Sequence, residues 1–215
     1  WEFTPPPMQS VVNQQIRKFE YVSVRESSGA YLLKEHLGID AYVVPDPTLL
    51  LEAADYDKLM DDVSYTQTKH ADIFCYILDM TSETRNAIET FATNNGMIVD
   101  FIHDYQKGIY PDVCTWLDGI RNARFVLTNS FHGTVFSLIY GKPMWILENK
   151  MRGNARLADL LAIFNLSSRM ISIQALNDID VFETIDIVDV KKIHKDLREQ
   201  GVAFLENAGI ACRNK

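Results

Sequence analysis

Residues 124–146, RFVLTNSFHGTVFSLIYGKPMWI, leave few folds open. The run 124–127 reads as a buried strand. It gives way to Thr128-Asn129-Ser130, residue types that cap helix N-termini. Phe131-His132-Gly133 follows, then a segment of helical character to Tyr140. Gly141 is a helix stop, Pro143 blocks simple continuation, and Met144–Leu147 reads as the next buried strand. One histidine therefore stands at the mouth of a strand–turn–helix unit. In open α/β sheets the carboxyl ends of the strands are where ligands bind.

Similar units occupy the rest of the chain. Trp1–Met8, with three consecutive prolines, reads as an extended arm, and residues 12–19 as a short helix. Tyr21–Val24 reads as a short strand, followed by a helix carrying Leu32, Leu33 and Leu37 that ends at Gly38. Ala41–Val44 reads as another buried strand. Asp46 before Pro47 suits an N-cap with proline at the first helical position. Residues 55–70 are polar and weakly patterned. Ile73–Leu78 reads as a central strand, Thr81 opens a helix that Asn94-Asn95-Gly96 ends, and Met97–Ile102 is the next strand. Val113, Trp116, Leu117 and Ile120 fall on one helix face, as do Leu157, Leu160, Leu161 and Phe164. Met170–Ile173 reads as a last strand and 189–208 as a terminal helix, which Gly201 weakens.

Strand and helix alternate throughout. That predicts an α/β fold, a Rossmann-like parallel sheet with helices on both faces. The domains expected are an arm and short helix over 1–20, a Rossmann-like domain over 21–190, and a C-terminal helical segment over 191–215. At 215 residues, 47% of them apolar, a sizeable core can be buried.

The net charge of −8 argues against broad electrostatic binding of nucleic acid or an anionic membrane, and leaves room for a local basic pocket. No run approaches the roughly 18 apolar residues of a membrane span, and no signal peptide is evident. Cys75, Cys114 and Cys212 form no CxxC pair. They read as reduced thiols of a cytoplasmic protein without a zinc site, Cys75 in the core. Neither GxGxxG after a strand nor GxxxxGK[ST] is present, so a dinucleotide fingerprint and a P-loop are unsupported.

Several residues can bear chemistry. His132 is placed for acid–base work, with small neighbours Ser130 and Gly133 that let a ligand reach the backbone, and a helix start that favours an anion. The plainer alternative is that Ser130 is a cap and His132 packs locally. Arg25, beside two serines and a glycine, can grip a carboxylate or phosphate bidentately, or pair with Glu26 or a neighbouring helix. Arg152 and Arg156 flank Gly153-Asn154 and suit anion binding, or else belong to a solvated loop and an outer helix face. Asp46 is better read as a cap than as catalytic. His103-Asp104, and likewise Asp79 at the end of the central strand, are better read as structural. Trp116, Phe131 and Trp145 read as core.

VSVRESSGAYLLKEHLGI (22–39), VPDPTLLL (44–51), YPDVCTWLDGIRNARFVLTNSFHGTVFSLIYGKPMWIL (110–147) and RGNARLADLLAIFNLSSR (152–169) together resemble the polysaccharide pyruvyl transferase family. TNSFHGTVFSLIYGKP is the strongest part. The resemblance implies one half of a GT-B-like architecture, two Rossmann-like domains with the active site between them. It implies transfer of a pyruvyl group from phosphoenolpyruvate to sugar hydroxyls of a sugar or lipid-linked glycan acceptor in cell-surface polysaccharide biosynthesis. No cofactor beyond the donor substrate is required. Residues 1–215 correspond mainly to the donor-binding half. The N-terminal half is expected to be missing, in keeping with Trp rather than Met at position 1, and the C-terminal helix to pack on the domain or on that half. By the same resemblance Arg25 holds the donor and His132 is the acid–base residue. Some members have an arginine two positions before that histidine. Here Ser130 stands there, so its hydroxyl with the helix N-terminus, or Arg152 or Arg156, takes the role. The competing readings are a GT-B glycosyltransferase using a nucleotide-sugar, with Glu148 or Asp159 on the ribose, and a non-catalytic domain of the same fold.

Overall fold

The computed structural model describes residues 6–61, 71–102, 108, 110–149, 151–181 and 183–210. In chain order the elements are α1 (Pro6–Ile16), β1 (Ser23–Val24), α2 (Ser27–Leu37), β2 (Tyr42–Val43), α3 (Ala53–Asp61), β3 (Ile73–Tyr76), α4 (Ser82–Asn94) and β4 (Val99–Phe101). They continue with α5 (Val113–Asn122), β5 (Phe125–Thr128), α6 (Phe131–Ile139), β6 (Met144–Leu147), α7 (Ala155–Ile163), β7 (Met170–Ile171) and α8 (Ile187–Asn207). The chain divides into two compact units. One takes residues up to Leu50 and those from Lys195 onward; the other is Leu51–His194.

In the first unit α1 begins at Pro6, inside the stretch read as extended to Met8. Prolines fit a first helical turn, where the missing N–H would have had no helical partner. Gly38 ends α2 in the left-handed region, its N–H bonding Lys34 O while Ile39 N reaches back to Leu33 O. Only glycine takes that conformation without a Cβ clash. β1 and β2 pair in parallel, Ser23 with Tyr42 and Val24 with Val43. The expectation of a single sheet fails here, because these strands form a separate two-stranded sheet. Nor is β2 buried: Tyr42 is 61% and Val43 40% exposed. An apolar pair of residues cannot by itself distinguish a core strand from an edge. The far part of α8 lies along the 43–50 segment, where Arg198 Nε donates to Leu50 O and Gln200 Nε2 to Val43 O. A Cβ on Gly201 would stand 2.4 Å from Leu50 Cδ2, so the glycine that weakened the helical reading is what lets the helix lie there.

The second unit holds a five-stranded sheet, all parallel, in the order β4-β3-β5-β6-β7. Successive residues of a strand face opposite sides. Ile73, Cys75, Phe125, Leu127, Trp145 and Leu147 point to one face, under Ile88, Phe91 and Ala92 of α4 and Leu176. Phe74 points to the other, where α5 approaches so closely that a Cβ on Gly119 would fall 2.2 Å from the Phe74 ring. Helices thus cover both faces, as the alternation predicted. Ala53–Asp61 forms a helix, overlapping a stretch that reads from sequence as polar and weakly patterned. Its inward stripe is short, with Met60 buried and Tyr56 edge-to-face on Phe136.

Candidate functional site

Order β4-β3-β5 means the chain leaves β3 for one side of the sheet and then returns to the other. The crevice at such a switch point, beyond the carboxyl ends of the strands, is the general ligand position of doubly wound sheets. The rim of β5 carries His132.

That rim is built by short polar side chains. Thr128 is fully buried; its hydroxyl donates to Tyr76 O at 2.6 Å and accepts from Ser130 N at 3.1 Å. Asn129 spans to the neighbouring strand's exit, accepting from Leu78 N at 2.7 Å and donating to Leu78 O at 3.0 Å. Both strand ends are thereby fixed to each other. Ser130 caps α6, its hydroxyl accepting from Gly133 N at 3.4 Å while its carbonyl accepts from Thr134 Oγ1 at 3.0 Å. The Ser130 side chain is therefore buried and caps α6, as the plainer reading of it has it. Gly133 is buried too. A Cβ there would sit 2.5 Å from Thr128 Oγ1, so its small size is required by the close approach of α6 to β5. His132, next to them, is exposed, its ring edge-to-face with Phe131 at 5.4 Å. An exposed imidazole at a helix N-terminus, on the carboxyl rim, can exchange protons with a bound ligand.

The rim of β6 supplies the cation. Arg152 forms a bidentate pair with Asp79, Nε to Oδ2 at 2.5 Å and Nη2 to Oδ1 at 2.9 Å. Asn149, which is buried, donates from Nδ2 to the same carboxylate at 3.4 Å and accepts the N–H groups of Met151 and Arg152 at 3.0 and 3.1 Å. Asn154 closes the turn by accepting Asn149 N at 2.8 Å. The hydrogen bonds from Arg152 hold the Asp79 carboxyl below the ordinary carboxylate value. Asp79, which the sequence reading set aside as structural, is thus part of the rim. Asn129 and Asn149 were not singled out as site residues at all. The available signal was asparagines bracketing Arg152-Gly153, a pattern that folds loops through side-chain-to-backbone bonds. Arg156 lies in the first turn of α7, with no ion-pair partner among the described residues.

Arg25 belongs to the other unit. Its Nη1 donates to Asp46 Oδ2 at 2.8 Å, while Asp46 Oδ1 accepts Thr48 N and Thr48 Oγ1 at 3.1 and 2.7 Å. The buried Asp46 is both the cap predicted for it and a group that orients Arg25. Ser130, His132, Gly133, Arg152 and Arg156 fall within the Leu51–His194 unit. His103-Asp104 lies outside the described residues. Among the described residues no group of three His, Cys, Asp or Glu could hold a metal ion, and no helix is long and apolar enough to cross a membrane.

No curated protein matches the chain. Among solved structures, one described as the glycotransferase of kitacinnamycin aligns with a TM-score of 0.47 at 12% identity, over 95% of this chain and 65% of its own. The chain thus spans less than two thirds of that protein's length. A family model for polysaccharide pyruvyl transferase matches residues 2–151. The match takes in Arg25, Asp46, Asp79 and the whole β5–α6–β6 unit with His132; Arg152 and Arg156 lie just past it. With well over half of its residues inside that match, the chain belongs to the polysaccharide pyruvyl transferase family.

Proposed function

We propose that this chain binds phosphoenolpyruvate and takes part in moving its pyruvyl group onto two hydroxyls of a sugar, forming a ketal. The observation that carries the reading is the family match over the β5–α6–β6 unit, which sets His132 on the carboxyl rim of the sheet. The donor has a carboxylate and a phosphate, so it needs cations and N–H donors, which Arg152, Arg156 and the α6 N-terminus can supply within the Leu51–His194 unit.

The reaction balances as follows. His132, protonated, gives its proton to the methylene carbon of the donor. The adjacent carbon becomes electron-poor, and a sugar hydroxyl oxygen bonds to it, its proton returning to the imidazole. The carbon–oxygen bond to phosphate then breaks, the phosphate keeping the electron pair, and a second hydroxyl closes the ketal, its proton passing to the released phosphate. Cations beside the departing phosphate lower that barrier. In this reading the protein works in the cytoplasm on a sugar or lipid-linked glycan of a cell-surface polymer, and a further half of a GT-B-like enzyme contributes the acceptor side.

Calorimetric titration tests it. Phosphoenolpyruvate gives saturable heat that Arg152→Ala combined with Arg156→Ala removes, and uridine diphosphate sugars give none. Heat from a nucleotide-sugar but not from phosphoenolpyruvate would overturn the reading in favour of glycosyl transfer.

A further inference from the structure

The donor reading leaves Asp79 without a task. It sits just past β3 with φ +57°, one of two described non-glycine residues in the left-handed region, the other being Asn165. Aspartate tolerates that region better than most residues, yet a side chain there is uncommon and tends to occur where a site dictates the backbone. The preceding residue is held at both its N–H and its carbonyl by Asn129 from the neighbouring strand. The backbone at 78–79 is thus set by β5, and the Asp79 carboxylate is aimed across to the rim of β6.

There it meets a long side chain on a loop. An arginine so placed samples many rotamers unless something fixes its plane. Asp79 grips the guanidinium through Nε and Nη2 together, which fixes both position and plane, and Asn149 ties the same carboxylate to the backbone of Arg152 itself. The bonds run unbroken from β5 through β3 to β6.

We propose that Asp79 is a positioning residue for the anionic donor: it presets the Arg152 guanidinium, on the rim shared with His132, to receive the donor's phosphate or carboxylate. The inference rests on the donor reading above. The opposite effect, in which Asp79 shields the cation and weakens anion binding, is the smaller one. Side chains 34% and 53% exposed sit in water, where repulsion between the carboxylate and a second anion is screened. Ordering of the arginine is not screened.

The test is a double-mutant cycle on anion affinity with Asp79→Asn, Arg152→Ala and both together. Asparagine keeps the size of the side chain and tolerates the left-handed backbone, so the change removes the charge and leaves the turn. Titrants are phosphoenolpyruvate and, separately, inorganic phosphate, with melting temperatures recorded for every variant. Asp79→Asn is expected to weaken phosphoenolpyruvate binding about tenfold, and to add nothing in the Arg152→Ala background. Equal losses in both backgrounds, or tighter binding in Asp79→Asn, overturn the proposal while leaving the donor reading in place. Coupled losses with phosphate, when phosphoenolpyruvate does not bind, would sink the donor reading and retain Asp79 as the setter of Arg152. Wild-type protein that binds neither ligand would refute both.

Discussion

Single side chains at the β5–α6 junction do different work, and substitution separates them. Ser130→Ala removes the α6 cap and should lower stability by about 1 kcal/mol. Gly133→Ala forces a Cβ to 2.5 Å from Thr128 Oγ1 and 3.2 Å from Thr128 Cβ, and should cost about 1–3 kcal/mol. Thermal unfolding by circular dichroism checks both; a Gly133→Ala protein as stable as wild type would show that α6 does not press on β5. Asp79 gives a pH signature. Its folded pKa is lowered, chiefly by hydrogen bonds from Arg152. Stability from such a group is present above the unfolded value, about 3.9, and is lost as pH falls through the folded one. The stability difference between wild type and Asp79→Asn should therefore shrink as pH drops from about 5 toward 2. A difference that stays constant over that range would mean the pair contributes nothing ionic.

Elements in this protein sit where glycines let them. Gly119 lies inside α5, where alanine would ordinarily favour the helix by about 1 kcal/mol. Against the buried Phe74 ring, 2.2 Å from the added Cβ, overpacking of about 1–3 kcal/mol outweighs that gain. Gly119→Ala should therefore destabilise, and Gly119→Ala with Phe74→Leu should recover part of the loss. Denaturant midpoints measure both; a Gly119→Ala gain would place α5 farther from β3. The predicted helix face on α5 held for Leu117 and Ile120, which are buried, and not for Val113, which is exposed at the first turn. Periodicity marks the inward stripe of a helix but not where along its length the partner ends.

At the scale of the whole molecule, charges buried away from the site hold distant segments to the sheet. Arg169, nearly fully buried, donates to the carbonyls of Glu183 and Thr184 at 3.2 and 2.8 Å, pairs with the Glu183 carboxylate at 3.0 Å, and lies 4.7 Å over the Trp145 ring. Arg169→Leu strands those carbonyls and should cost about 3 kcal/mol. On the proposed donor reading, it should leave phosphoenolpyruvate affinity intact at temperatures well below the melting point. Weakened binding in the folded variant would tie this edge to the site. What the sequence by itself determined was whatever depends on neighbours along the chain. The apolar runs of β3, β5 and β6, the caps at Thr81 and Ser130, the stop at Gly38 and the placing of His132 at a strand–helix junction are local patterns, and each is legible within about ten residues. The tertiary structure alone decided what depends on contacts across the chain. It set β1 and β2 apart in their own sheet, assigned Gly133 and Gly119 to close packing, and paired Arg25 with Asp46. It also carried Asp79 across to Arg152, 73 positions along the chain. Strand order fixes which rims meet, and no local periodicity encodes strand order.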